Sequence, residues 1–268
     1  MKKHNFDDAI HLRALLKNEY QGVLTESYNN MVGPFGGITA ATLLNAVMLH
    51  PERIGDPVSL TVNFAGPLAL GEFTIEAIPM RTNNSTQHWM IVQRQNGEVA
   101  TTATAFFAIR KETWGEQELT MPEAVSPDTL IPVKPRLPSH WVQNYDLRFV
   151  EGAFNPKEKK EQEISLSIMW VREQPERQLD FPGLASIGDS FFPRMFIRHQ
   201  EFMPAGTVSL TLHFHATADE LEKVGSAHLL ASAQASRANR NYADQTANFW
   251  DKDGNLLLSS HQMVYFKY

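Results

Sequence analysis

The sequence predicts an α+β protein built from two copies of one unit, a hydrophobic helix followed by a curled antiparallel sheet. Three observations carry this reading. Residues 38–50 (ITAATLLNAVMLH) form an apolar run without charge, longer than an ordinary strand, behind the turn GPFGG. Four β-prone runs follow, the last two joined by the hairpin pair Asn96-Gly97. The same order then returns in the second half, with Phe64 27 residues after Gly37 and Phe214 27 residues after Ile187.

Residues 7–16 carry Ile10, Leu12, Leu15 and Leu16 and suit a short amphipathic helix or a strand lead-in. The cluster 33–37 is a tight turn, because neighbouring glycines and a proline break regular structure. Pro51 ends the helix it opens. Strands are expected at 58–64, 73–80, 88–93 and 99–109, separated by Gly66-Pro67 with Gly71, by Asn83-Asn84-Ser85, and by Asn96-Gly97. Both residues of the last pair tolerate the positive φ of a type I′ turn.

Residues 111–138 hold Pro122, Pro127, Pro132, Pro135 and Pro138 among polar residues. Proline neither donates to a ladder nor continues a helix, so this stretch reads as a linker between a first unit, 1–110, and a second, 139–268. In the second unit HWVQNYDLRFV and ISLSIMWVR read as strands. Residues 184–199 (LASIGDSFFPRMFIRH) are the second helix, in which Pro193 implies a kink or a start near 190–192. TVSLTLHFHA, HLLASAQASR and QTANFWDKDGNLLLSSHQMVYFKY supply the remaining strands, with Asp253-Gly254 as the matching hairpin turn. The two hairpin pairs follow Phe64 and Phe214 by 32 and 39 residues, and loop residues around 219–224 absorb part of the difference.

Composition narrows the function. With 268 residues, 43% of them hydrophobic and 20% charged, the chain buries a core that needs no covalent staples. The absence of cysteine excludes disulfides, thiolate metal sites and a cysteine nucleophile. Two lysines near the amino terminus precede no apolar stretch, so no secretory signal is expected, and no run is long enough to span a bilayer. A net charge of −6 without a basic tract argues against nucleic acid as a partner. A cytoplasmic protein is the expectation, and an anionic ligand would need a local positive site.

A long apolar helix wrapped by antiparallel sheet, present twice, resembles the tandem or double hot-dog arrangement. More specifically, the chain resembles the acyl-CoA thioesterase II family over about residues 28–268. GPFGGITAATLLNAV is similar to that family's glycine pair and helix entrance, and NFAGPLALGEFTIEAIPMRTNNS to the strand, turn and strand that follow. WVR at 170–172 and SIGDSFFPRMF resemble the approach to the second helix. The resemblance implies an Asp–Thr–Gln constellation in the second unit, falling on Asp189, on Thr207 eight residues before His215, and on Gln262. Ser209-Leu210 stands where the family has an Asp-His pair. It further implies an acyl-CoA substrate, no cofactor, a place in fatty acid metabolism, and a homodimer or higher homo-oligomer that covers exposed strand edges.

These residue types suit thioester hydrolysis, which needs an activated water, a polarised carbonyl and a stabilised oxyanion. No G-x-S-x-G elbow and no cysteine are present, so direct attack by water fits better than an acyl-enzyme. Asp189 would orient and partly deprotonate that water; with an ordinary pKa of ~3.9 it is a weak base, so either burial raises that value or the water is held very well. Thr207 and Gln262 supply further donors and acceptors. The carbonyl oxygen would face free N–H groups at a helix amino terminus. Alternation in the last strand places Gln262 with Val264 and Phe266 on one face, opposite His261, Met263 and Tyr265.

Plainer readings stand beside these. Asp189 is also a suitable helix cap, and Thr207 an ordinary strand residue. Phe191, Phe192, Met195, Phe196 and Met203 are candidates to line an acyl tunnel or to be plain core. Arg237 and Arg240 are candidates for the coenzyme A phosphates or residues of a solvated loop. His213 and His215 share a strand face, but no third metal ligand has convincing spacing, so no metal is expected. A hot-dog hydratase would pair its aspartate with a histidine five residues on, whereas His199 is ten residues after Asp189. A non-catalytic acyl-CoA or lipid-binding module is the third reading.

Overall fold

A computed structural model describes residues 4–134, 139–158 and 160–268; Lys2, Lys3, Pro135 and Pro138 lie outside the described residues. The chain opens on α1 (Asn5–Ala9), capped by the His4 ring, and on the hairpin β1 (Arg13–Leu16) and β2 (Glu19–Leu24). Helix α2 (Gly36–Met48) follows the glycine turn and is buried on nearly every side, as its lack of charge requires. The strands β3 (Asp56–Phe64), β4 (Gly71–Thr82), β5 (Thr86–Gln95) and β6 (Glu98–Ala108) then form the predicted meander. Asn96 and Gly97 have φ of 53° and 83°, the paired positive values of a type I′ turn.

The second unit repeats the plan with alterations. Residues 140–144 form a 3₁₀ turn, so the strand expected from HWVQNYDLRFV begins only at β7 (Tyr145–Glu151) and is followed by β8 (Ser167–Glu173). The single helix expected at 184–199 is two short ones, α3 (Phe181–Ile187) and α4 (Arg194–His199). Gly188 breaks the first against the sheet, where a Cβ would lie 2.8 Å from the side chains of Leu212 and Leu258. Pro193 is the cap residue of α4, consistent with its missing N–H. After β9 (Ala205–Phe214), residues expected as loop form α5 (Ala218–Val224), opened by a Thr217–Glu220 capping box. The chain ends in β10 (Leu229–Gln234), the two-residue β11 (Ala238–Asn239), β12 (Tyr242–Trp250) and β13 (Leu256–Phe266). The Asp253-Gly254 connection is longer than a two-residue turn, because Asp251 accepts from the backbone N–H of Asp253 and Asn255.

The sheets of the two units join edge to edge through the antiparallel pair β3–β9. One sheet of 13 strands results, in the order β1-β2-β4-β5-β6-β3-β9-β13-β12-β10-β8-β7, with β11 beside β12. It curls around α2 and α3, which pack on each other through small residues. A Cβ on Gly37 would lie 2.4 Å from the Ser186 carbonyl oxygen. Residues 111–134 do not hang free. The Trp170 indole donates to the Val125 carbonyl at 2.8 Å, and Met121, Ala124 and Leu130 pack on Ile168, Trp170 and Leu230. Among the described residues no helix is long and apolar enough to cross a membrane.

One core residue gives the fold a pH dependence. Glu173 is 3% exposed at the end of β8; among the described residues neither carboxylate oxygen has a hydrogen-bond partner, and Arg177 lies 3.5 Å away. Burial outweighs that cation and pushes the Glu173 carboxyl up from 4.5 to about 8. The folded state then holds this proton more tightly than the unfolded chain, so stability falls as pH rises from about 4.5 through about 8. Glu173→Gln is expected to stabilise the fold at pH above 8 by on the order of a few kcal/mol, raising the melting temperature there, and to leave the melting temperature nearly unchanged at pH near 4.5. Thermal unfolding followed at the two pH values checks this.

Candidate active site

Four segments converge beside the amino terminus of α2. Phe35, its cap residue, offers no side-chain acceptor, so the first N–H groups of the helix are open to other partners. The N–H of Gly37 donates to the Asp189 carboxylate. Gly36 lets the carboxylate approach, since a Cβ there would sit 2.6 Å from Asp189 Oδ2. Asp189 itself lies in the turn that leaves α3, with its backbone N–H on the Ser186 carbonyl at 3.2 Å. It caps neither α3, whose cap is Asp180, nor α4, whose cap is Pro193.

The sheet supplies the opposite wall. Burial alternates along β13 as expected, with Gln262, Val264 and Phe266 inside and His261, Met263 and Tyr265 outside. The Gln262 amide nitrogen donates to Asp189 Oδ1 at 2.7 Å. Its oxygen accepts from the Thr207 hydroxyl at 3.4 Å, a long contact across neighbouring strands β9 and β13. The three residues expected to act together therefore form a chain, Thr207 to Gln262 to Asp189. Asp189 and Gln262 are buried, at 7% and 4% exposed, and Thr207 is half-buried. Burial pushes the Asp189 carboxyl up from 3.8 to about 7, against the opposing pull of the Gln262 and Gly37 donors.

This chain faces a cavity of about 1390 Å³. Phe191, Phe192, Phe196 and Met203 line it, while Met195 borders a separate depression of about 440 Å³. Phe154 and Phe202, edge-on at 4.6 Å between ring centroids, add to the apolar wall, as do Ile131 and Val133 from the proline-rich segment. Among the described residues Lys134 is the cation on the cavity lining. Arg237 and Arg240 are exposed on the β11–β12 hairpin and do not reach it; Arg240, at φ 48°, forms the turn there with Asn241, at φ 68°.

Other histidine readings have no support in the geometry. His213 and His215 are exposed on the outside of β9, where His215 pairs with the Ser259 hydroxyl at 3.0 Å. Among the described residues no group of three or more histidine, aspartate or glutamate side chains is placed to hold a metal ion. His199 pairs with Glu161 at 3.1 Å and packs at a tilt against the Tyr268 ring.

Sequence reasoning missed a second polar pair. Arg194, 1% exposed, donates from Nε to the Gln245 side-chain oxygen at 2.9 Å, and Gln245 lines the cavity. Its signal was legible: Gln245 shares the inner face of β12 with Ala243, Ala247 and Phe249, the same anomaly that singled out Gln262.

Comparison with known proteins agrees with this architecture. The profile of the acyl-CoA thioesterase N-terminal domain matches residues 25–108, and that of the C-terminal domain residues 122–266. A hot-dog-fold protein of unknown function from Alicyclobacillus acidocaldarius is 41% identical, with 99% of each chain covered and a TM-score of 0.94. An acyl-CoA thioesterase II from Mycobacterium marinum, 19% identical over 98% of each chain, superposes with a TM-score of 0.78 and shares the fold. The tesB protein of Mycobacterium avium subs paratuberculosis does so at 16% identity, 98% coverage of each chain and a TM-score of 0.78. No curated protein sequence matches the chain. The chain belongs to the acyl-CoA thioesterase family and is a thioester hydrolase of tandem hot-dog fold.

Proposed function

We propose that the enzyme hydrolyses acyl-CoA thioesters by direct attack of a water molecule held by Asp189, Thr207 and Gln262. The observation that carries this reading is the hydrogen-bonded chain from Thr207 through Gln262 to Asp189, beside a large apolar cavity and an uncapped helix terminus. Gln262 occupies Oδ1 of the aspartate and fixes its plane. A carboxyl whose pKa lies near 7 is half ionised at neutral pH and is a far better base than an ordinary aspartate.

In the first step the water oxygen bonds to the thioester carbon, its proton passes to Asp189, and the carbonyl π pair moves onto oxygen. The resulting oxyanion faces the N–H of Gly36, where the α2 dipole and an open donor favour negative charge. Collapse breaks the C–S bond, and Asp189 returns its proton to sulfur. Coenzyme A leaves as the thiol and the acyl group as the acid. Ser190 is no rival nucleophile, since its hydroxyl is buried without a partner among the described residues and off the cavity lining.

The acyl chain occupies the phenylalanine wall formed by Phe191, Phe192 and their neighbours, and Lys134 is the lining cation nearest in kind to what a phosphate needs. Arg237 and Arg240 are left as exposed candidates outside the cavity for the same anion. Oligomerisation through the edge strands β1 and β7, and a role in cytoplasmic fatty acid metabolism, belong to the same reading.

Incubation with a panel of acyl-CoAs of graded chain length, read by free-thiol release, tests the proposal. Thiol and free acid in equal amounts are expected. Water addition without thiol release, or saturable binding with neither, overturns it.

A further inference from the structure

Gln245 on the cavity lining, held from behind by Arg194, is left idle by the hydrolysis above. Arg194 opens α4 and is buried without a compensating carboxylate among the described residues. Each of its three nitrogens donates: Nε to Gln245 Oε1 at 2.9 Å and to the Phe192 carbonyl at 3.1 Å, Nη1 to the Ser165 carbonyl at 3.0 Å, Ser167 Oγ at 2.9 Å and the Ala233 carbonyl at 3.4 Å, and Nη2 to the Phe192 carbonyl at 2.5 Å. A buried cation with no acid partner is costly, and its field is not screened by water.

A guanidinium only donates, so the Gln245 atom facing Nε is the amide oxygen, and the amide nitrogen points the other way. Gln245 is 2% exposed and on the cavity lining, and no protein atom among the described residues accepts from that nitrogen. Across the β12–β13 pairing its direct neighbour is Gln262, which places the two side chains roughly 5 Å apart at Cβ. Gln245 therefore offers an N–H beside the residue that holds Asp189.

That donor is unusual in being fixed in advance and polarised from behind. A cation on the amide oxygen draws charge through the amide and strengthens its N–H, as in any hydrogen-bond chain. An alkyl chain lying against it would leave a buried donor unpaired, which is unfavourable. A ligand atom that accepts is needed, and in a saturated acyl group the thioester carbonyl oxygen is the one acceptor.

We propose that Gln245 donates its amide N–H to the thioester carbonyl oxygen, and that Arg194 is the positioning residue that orients and polarises that amide. The inference rests on the water-attack reading, in which this oxygen gains the charge, and adds a side-chain donor to the N–H of Gly36. The fixed pair acts most strongly when the oxyanion forms, so it affects turnover more than binding.

The test is kcat and KM of Gln245→Ala and Gln245→Glu with a saturated straight-chain acyl-CoA. Gln245→Glu keeps the size and gives Arg194 a carboxylate, so it serves where the alanine variant fails to fold. Both are expected to lose about 10²–10³-fold in kcat with little change in KM. In addition, the carbonyl stretch of a ¹³C-labelled acyl-CoA bound to the slow Asp189→Asn protein is expected to move to higher frequency when Gln245→Ala is added. A kcat within a few-fold of wild type in a folded variant, a loss confined to KM, or an unmoved carbonyl frequency overturns the role of Gln245. If the wild-type enzyme releases no thiol from any acyl-CoA, the hydrolysis reading fails with it; if it does and the variants match it, only this inference fails.

Discussion

Replacing Asp189 by asparagine is expected to cut kcat by at least about 100-fold, the scale on which a positioned general base acts, in a protein that stays folded. Asparagine keeps the volume and one acceptor for the donors that converge there, the Gln262 amide and the Gly37 N–H. It cannot take a proton from water. The substitution also removes a carboxyl that burial disfavours in its charged form, so no buried charge is left unpaired. Circular dichroism and steady-state thiol release on the same preparation separate the two effects. Turnover near the wild-type level in a well-folded Asp189→Asn protein removes this residue from the chemistry.

Gly37→Ala is expected to damage both the fold and the site. Its Cβ would fall 2.4 Å from the Ser186 carbonyl oxygen and 2.4 Å from the Phe35 ring. The first is backbone of the facing helix and cannot rotate away, so α2 and α3 must separate. Overpacking of this kind costs about 3 kcal/mol, the upper part of the usual range. For a chain of this size that lowers the melting temperature by about 6–12 °C. Activity falls as well, because the Gly37 N–H that meets Asp189 moves with the helix. Gly115→Ala is the control, an exposed glycine where a new Cβ meets nothing within 4 Å, and its melting temperature is expected to stay at the wild-type value. Equal melting temperatures for the two variants contradict the close packing described.

Much of the architecture is written in hydrophobic spacing. Helix α2 and strands β3 to β6 were legible because their apolar residues recur with the period of a buried helix or an alternating strand. The Asn96-Gly97 turn was legible because its backbone angles demand those residues. Other elements hid for identifiable reasons. In β2 the inner-face position Gly22 has no side chain, and the Phe73 ring fills its place, so the alternation Tyr20, Gly22, Leu24 does not look apolar. Strand β1 is exposed throughout and has no hydrophobic face to read. Helix α5 carries its capping box openly in Thr217 and Glu220, a signal that was overlooked among loop residues.

The site divides in the same way. Asp189, Thr207 and Gln262 stood out by resemblance to a family, and Gln262 also by being polar on an apolar strand face. What spacing along the chain does not disclose is which glycine meets which carboxylate. That Gly36 and Gly37 of the first unit sit against Asp189 of the second is a product of helix packing across the duplication. Arg194 escaped notice because an arginine early in a helix ordinarily faces water; here the break at residues 188–193 turns it inward onto Gln245.

The pH dependence of kcat/KM bears most directly on the idea that a buried aspartate takes the proton from water. Between about pH 5 and 9, the wild-type value is expected to climb close to tenfold per unit up to about 7 and then level off, following ionisation of Asp189. A profile already level at pH 5, as an ordinary solvated carboxylate would give, or the same limb persisting in the residual activity of Asp189→Asn, contradicts it.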